Sequence, residues 1–214
     1  MVWLLSLAAG GTDALCLLRL GGVFASVITG NLVLLGVSAA RSLASPAVRA
    51  VVAVGAYVLG TFVGSRLVAP WRHAARSSGT PLAAARRCLV VETVLLLGLG
   101  AGWIATRQRP HGGSELALLA LAGAAMGLQS VAVRSLGRPG LSTTYLTGAA
   151  TRLVSGIGEP GWWRRFDWVQ VRALPGVIVG AAAEAALLRY LPWPGPLPAA
   201  VLAAAAALAV RVDR

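Results

Sequence analysis

The stretch AGGTDALCLLRLGGVFASVITGNLVLLG (Ala9–Gly36) decides the fold. It begins inside an apolar run, Val2–Leu20, that nears the ~20 residues an α-helix needs to cross a ~30 Å hydrocarbon core. One acid, Asp13, interrupts that run about 11 residues in, or ~16 Å along a helix, close to the midplane. The next segment, Gly21–Ala40, is apolar enough to enter a membrane but is broken near its middle by glycine and hydroxyl residues. A greasy helix with a deep acid, followed by an apolar segment that breaks, suits a lipid environment. Backbone freed by the break must be buried in protein or line a wet cavity.

The whole composition agrees. Hydrophobic residues fill 57% of 214 positions and charged residues only 12%. The mean hydropathy is +0.75. Soluble domains carry about 25% charged residues, so this chain lacks the polar coat a soluble fold of its size requires. Six stretches read as ordinary spans: Val2–Leu20, Ala47–Ala69, Arg86–Ala105, Glu115–Val133, Val171–Tyr190 and Leu197–Val212. The seven tryptophans fall at or near the ends of these runs, as in an aromatic belt. A second interrupted stretch, Arg138–Gly158 (RPGLSTTYLTGAATRLVSGIG), resembles Gly21–Ala40. Both could be full crossings, giving eight, or broken re-entrant segments, giving six.

The formal charge is +12, and all 19 basic residues are arginine. They cluster between apolar runs, as orientation-setting loops do, not on one face as in a nucleic-acid binder. With six spans, 13 arginines share the face of the N-terminus. Six lie opposite: Arg19, Arg41, Arg49, Arg107, Arg109 and Arg189. With eight spans the division is 10 to 9 and no orientation is specified. The six-span arrangement is therefore expected, with both termini cytoplasmic in a bacterial inner membrane. The chain reads as a single membrane domain over 1–214.

The halves resemble each other, about 1–106 and 107–214. Thr29-Gly30 and Thr147-Gly148 lie 118 residues apart. Gly60/Gly64 and Gly176/Gly180 lie 116 apart, and at that offset Asp13 falls opposite Gln129. Three spans between equivalents would invert one half relative to the other, as in many transporters. The expected fold is thus an all-α integral membrane protein of six helices, in two inverted three-helix repeats, each with a broken re-entrant segment.

Ala9–Gly36 resembles the opening signature of the YoaK-like family of bacterial membrane proteins. MGLQSVAVRSLGRPGLSTTYLTGAATRLVSG (Met126–Gly156) resembles that family's second signature. The resemblance spans nearly the whole chain and implies a multi-pass bacterial inner-membrane protein. It supplies no mechanism, because the family is described as a domain of unknown function.

Candidate site residues follow from the breaks. Asp13 either binds a cation, relays a proton or hydrogen-bonds a solute, or braces a break by capping backbone N–H groups near Gly10-Gly11-Thr12. Thr29, Asn31, Thr143, Thr144 and Thr147, with Gln129, either line a meeting point of the broken segments or serve local capping. Tyr145 and Arg152 are weaker candidates. Glu92 and Glu184 each lie some six residues inside a span end, shallower than Asp13. Gly60, Gly64, Gly123, Gly127, Gly176 and Gly180 read as helix-packing positions. Cys16 and Cys88 read as inert buried thiols. His73 and His111 lie in loops with no carboxylate constellation, so no catalytic residues, metal or cofactor are expected. The expected partners are the lipid bilayer and a small solute, with self-association left open and nucleic acid not expected. The expected function is transporter-like or permease-like; the alternative is a membrane accessory or assembly protein.

Overall fold

The computed structural model describes residues 1–74, 80–135, 151, 154–155 and 168–210. Seven α-helices lie among them: α1 (Val2–Arg19), α2 (Ile28–Ala40), α3 (Ala44–Ala74), α4 (Thr80–Ala105), α5 (Gly113–Ser135), α6 (Trp168–Tyr190) and α7 (Leu197–Ala209). No strand occurs among the described residues. Five helices (α1, α3, α4, α5 and α6) are long and apolar enough to cross a membrane, which makes the chain a multi-pass membrane protein. The expected sixth span, Leu197–Val212, takes the form of the 13-residue α7, about 20 Å long. Gly21–Ala40 becomes an irregular segment followed by the 13-residue α2. Most of Arg138–Gly158 lies outside the described residues.

Contacts fix how the helices run. α3 and α5 are parallel neighbours: Ala53 packs on Gly123, Tyr57 on Gly127, and Gly64 on Leu128 and Val131. α1 and α6 are also parallel: Trp3 and Ser6 meet Gly176, Leu7 meets Gly180, and Gly11 meets Glu184. α4 runs against α5, with Gly98 on Leu121 and Gly102 on Leu118. It also runs against α7. Gly100 meets Leu197 toward one end, while Cys88 joins Ala206 and Ala207 in a core cluster toward the other.

Both parallel pairs cross at glycine. A Cβ on Gly10 would collide with the Val177 carbonyl, and one on Gly180 with the Leu7 carbonyl. In the other crossing, Gly127 lies against the Tyr57 carbonyl and Gly60 against the Ala124 carbonyl. The two crossings thus match residue for residue: Gly10 with Gly127, Leu7 with Ala124, Val177 with Tyr57, Gly180 with Gly60. This register differs from the sequence spacing. It equates Gly60 with Gly180, not Gly176, a slip of one helical turn, and sets Ser130 rather than Gln129 opposite Asp13. Lipid supplies no hydrophobic drive between helices, so backbone-to-backbone packing over small residues has to hold them.

Trp103 departs from the expected aromatic belt. It is fully buried, its indole N–H donates to the Pro192 carbonyl at 2.9 Å, and its ring lies against Gly195. It pins the Leu191–Pro196 turn onto the end of α4. Trp3 and Trp193 are exposed, as a belt requires.

The glycines make a direct test. Gly10→Ala or Gly127→Ala puts a methyl into a neighbouring carbonyl and is expected to cost about 1–3 kcal/mol. Gly36→Ala and Gly55→Ala, which have open space around the new methyl, are expected to be neutral or stabilising by up to about 1 kcal/mol. Thermal unfolding of the purified protein in detergent reads the difference.

Candidate functional site

The break after α1 is held at three points. α1 ends at Arg19, and Gly21 and Gly22 both take positive φ, 89° and 77°. That conformation suits glycine because it has no Cβ to clash. Gly21 lies against an ion pair between Arg49 at the start of α3 and Glu115 at the start of α5. There Arg49 Nε is 2.7 Å from Glu115 Oε1, and Arg49 Nη2 donates to Glu115 Oε2 at 3.2 Å. The chain then turns back alongside α1. The Ala25 and Ser26 amides both donate to Asp13 Oδ1 at 2.8 Å, and the Ser26 hydroxyl donates to Asp13 Oδ2. Asp13 lies six residues before the end of α1, so the segment has returned about 9 Å along that helix.

Asn31 makes the third clamp. It is fully buried in the first turn of α2. Its Oδ1 accepts from the Phe24 amide at 2.9 Å, and its Nδ2 donates to the Phe24 carbonyl at 2.6 Å. A primary amide suits this role because it offers a donor and an acceptor side by side. Asp13 and Asn31 together satisfy three backbone N–H groups and one carbonyl that no helix or strand pairs. Left unpaired inside an apolar layer, each would cost about 1–3 kcal/mol. Asp13 therefore caps Ala25 and Ser26, not the nearer Gly10-Gly11-Thr12 stretch. The Thr12 hydroxyl simply bonds back to the Ala8 carbonyl at 2.8 Å.

Of the other predicted residues, Thr29 and Gln129 do not gather there. Thr29 is exposed in the first turn of α2. Gln129 ties α5 to the opposite end of α1, its Nε2 donating to the Leu5 carbonyl at 3.0 Å. Its Oε1 has no partner among the described residues. Thr143, Thr144 and Thr147, like Tyr145 and Arg152, lie outside the described residues.

Two acids that sequence reasoning ranked low are deep. Glu92 is fully buried, and neither carboxyl oxygen has a partner among the described residues. α4 runs from Thr80, well before Arg86, so Glu92 sits at its midpoint and not near an end. Glu184 is 4% exposed and lines a cleft of about 330 Å³ between α1, α6 and α7. Its Oε1 also lacks a partner among the described residues. The missed signal was periodicity. Gly176, Gly180 and Glu184 recur every four residues, so the acid shares the face that the glycines press onto α1. Glu92 likewise shares the buried stripe of α4 with Cys88, Leu96, Leu99 and Trp103. Cys16 and Cys88 are buried free thiols. Among the described residues, no group of three or more His, Cys, Asp or Glu could hold a metal ion.

The comparisons with known proteins agree that the chain is a membrane protein. The family described as Protein of unknown function (DUF1275) matches residues 1–210, and the chain belongs to it. The chain is also similar to the UPF0700 transmembrane protein YoaK of Bacillus subtilis (strain 168). The two are 26% identical over 202 residues, covering 89% of this chain and 85% of the relative. No solved structure matches the chain.

The bracing geometry predicts a graded loss of stability. Asp13→Ala leaves two amides and a hydroxyl without an acceptor and is expected to cost about 3 kcal/mol or more. Asn31→Ala exposes one amide and one carbonyl and should cost less, about 2 kcal/mol. Thr29→Ala, at an exposed position, should change stability by under about 0.5 kcal/mol. Unfolding temperatures of the three variants in one detergent check the order.

Proposed function

We propose that this DUF1275 chain is a small-solute permease built from two inverted repeats in a bacterial inner membrane. The observation that carries the reading is the matched pair of glycine crossings, α1 on α6 and α3 on α5. Both crossings are parallel, while α3/α4, α4/α5 and α6/α7 run antiparallel. It follows that α1 opposes α5, α3 opposes α6 and α4 opposes α7. Each equivalent pair points in opposite directions, as an axis in the membrane plane requires. The segment at 20–40 dips to the level of Asp13 and returns to the face it left, where α3 begins; in this reading it is a re-entrant half-helix. Its counterpart is Arg138–Gly158. The chain then crosses six times, α7 being the shortest crossing, with both termini on the arginine-rich cytoplasmic face.

Within this reading Asp13 serves the site indirectly. Its carboxylate is spent on the Ala25–Ser26 backbone, so it holds the half-helix in place and does not bind the solute itself. The same observation favours the second reading, a membrane accessory or assembly protein whose breaks are packed and dry.

Two measurements test these readings. In a background of Cys16→Ser and Cys88→Ser, a cysteine at Gln108 should react with impermeant reagent from the side opposite the N-terminus. Labelling on the same side would mean eight crossings and no inverted three-span repeat. For activity, the chain in proteoliposomes should admit at least one class from a labelled panel of small amines, carboxylates and polyols above protein-free liposomes. No uptake of any class would favour the accessory reading.

A further inference from the structure

The two glycine crossings match at the four positions where a glycine faces a carbonyl, and they diverge one turn further along. In the α3–α5 crossing, Gly64 is filled by the side chains of Leu128 and Val131. At the equivalent place in the α1–α6 crossing the roles are reversed. Gly11 stands where Leu128 would be, and Glu184 stands where Gly64 would be. One crossing is therefore packed with leucine and valine. The other keeps an open cleft of about 330 Å³ with a carboxylate in its wall. That volume lies at the lower end of small-molecule sites.

The lining states what the cleft accepts. Leu7, Leu187 and Leu202 give it apolar walls, and Gly11 and Gly180 let a ligand approach the helix backbones. Glu184 is nine-tenths buried and more, and its Oε1 has no partner among the described residues. Among the described residues, no basic side chain lines the cleft. The nearest arginine of α1, Arg19, donates instead to the Leu188 carbonyl at 3.2 Å. An anion would meet a carboxylate without a counter-charge, and a polyol would leave most of its hydroxyls unpaired against leucine. A protonated amine on a small apolar body meets both requirements: its ammonium pairs with Glu184, and its body replaces lipid against the leucines.

We propose that the α1–α6–α7 cleft binds a small apolar amine as its ammonium ion, with Glu184 as the counter-charge. This deepens the permease reading by naming a substrate class and its position. Binding is measured without transport, so either can fail while the other stands.

The test is equilibrium binding of 2-phenylethylamine to the full chain in nanodiscs, beside 3-phenylpropionate and 3-phenylpropanol as anionic and neutral analogues. The amine should bind at least about tenfold more tightly than either analogue. Glu184→Gln should weaken the amine by at least about tenfold and leave the neutral alcohol unchanged. Should that variant fail to fold, Ala183→Phe, on the exposed rim of the cleft, fills the entrance and should abolish amine binding. Nanodiscs with and without phosphatidylethanolamine separate the two sources of an ammonium group. Competition by that lipid supports the cleft and assigns it a headgroup; its absence assigns a free amine. Equal binding of all three probes, or wild-type amine affinity in both variants, overturns the proposal.

Discussion

A polypeptide that stops being helical inside a membrane exposes donors and acceptors that lipid cannot satisfy. In this chain the break after α1 is met by side chains chosen for the purpose. Asp13 takes the Ala25 and Ser26 amides and the Ser26 hydroxyl, Asn31 takes both polar groups of Phe24, and the Arg49–Glu115 pair closes over Gly21. The clamps come from α1, α2, α3 and α5, so the short segment binds four helices into one arrangement. Asp13 holds the start of this segment back alongside α1.

The rest of the bundle depends on close approach of backbones. Glycine at the two crossings brings α1 onto α6 and α3 onto α5, where a methyl group would already collide with a carbonyl. Glu92, at the midpoint of α4, and Glu184, beside Gly11, are both buried. Glu184 opens onto a cleft, whereas the equivalent place in the α3–α5 crossing is filled by Leu128 and Val131.

Much of the helical layout was legible in the sequence, because lipid imposes its demand on composition and length directly. The ends were less so. Arg86 and Arg87 suggested a membrane boundary, yet α4 extends back to Thr80, and this moved Glu92 from the margin to the centre. Asp13 was recognisable as an acid too deep to be incidental. Its partners were not, because two of the three donors, the Ala25 and Ser26 amides, are backbone groups, which no residue type announces. Trp103 looked like an interfacial anchor because it sits at a helix end, but a tertiary contact with the Pro192 carbonyl took it into the core. The spacing that suggested a repeat differs from the register of the contacts. Sequence spacing aligned glycine with glycine, whereas contacts align each glycine with the carbonyl it faces.

Asp13 holds an irregular backbone inside an apolar helical bundle. Hydrogen–deuterium exchange of residues 20–28 in nanodiscs measures this most directly, in the wild type and in Asp13→Ala. The amides of Ala25 and Ser26 should be protected in the wild type although no helix pairs them. The substitution should release them while α1 and α5 stay protected. Rapid exchange of those amides in the wild type, or unchanged protection in the variant, would contradict it.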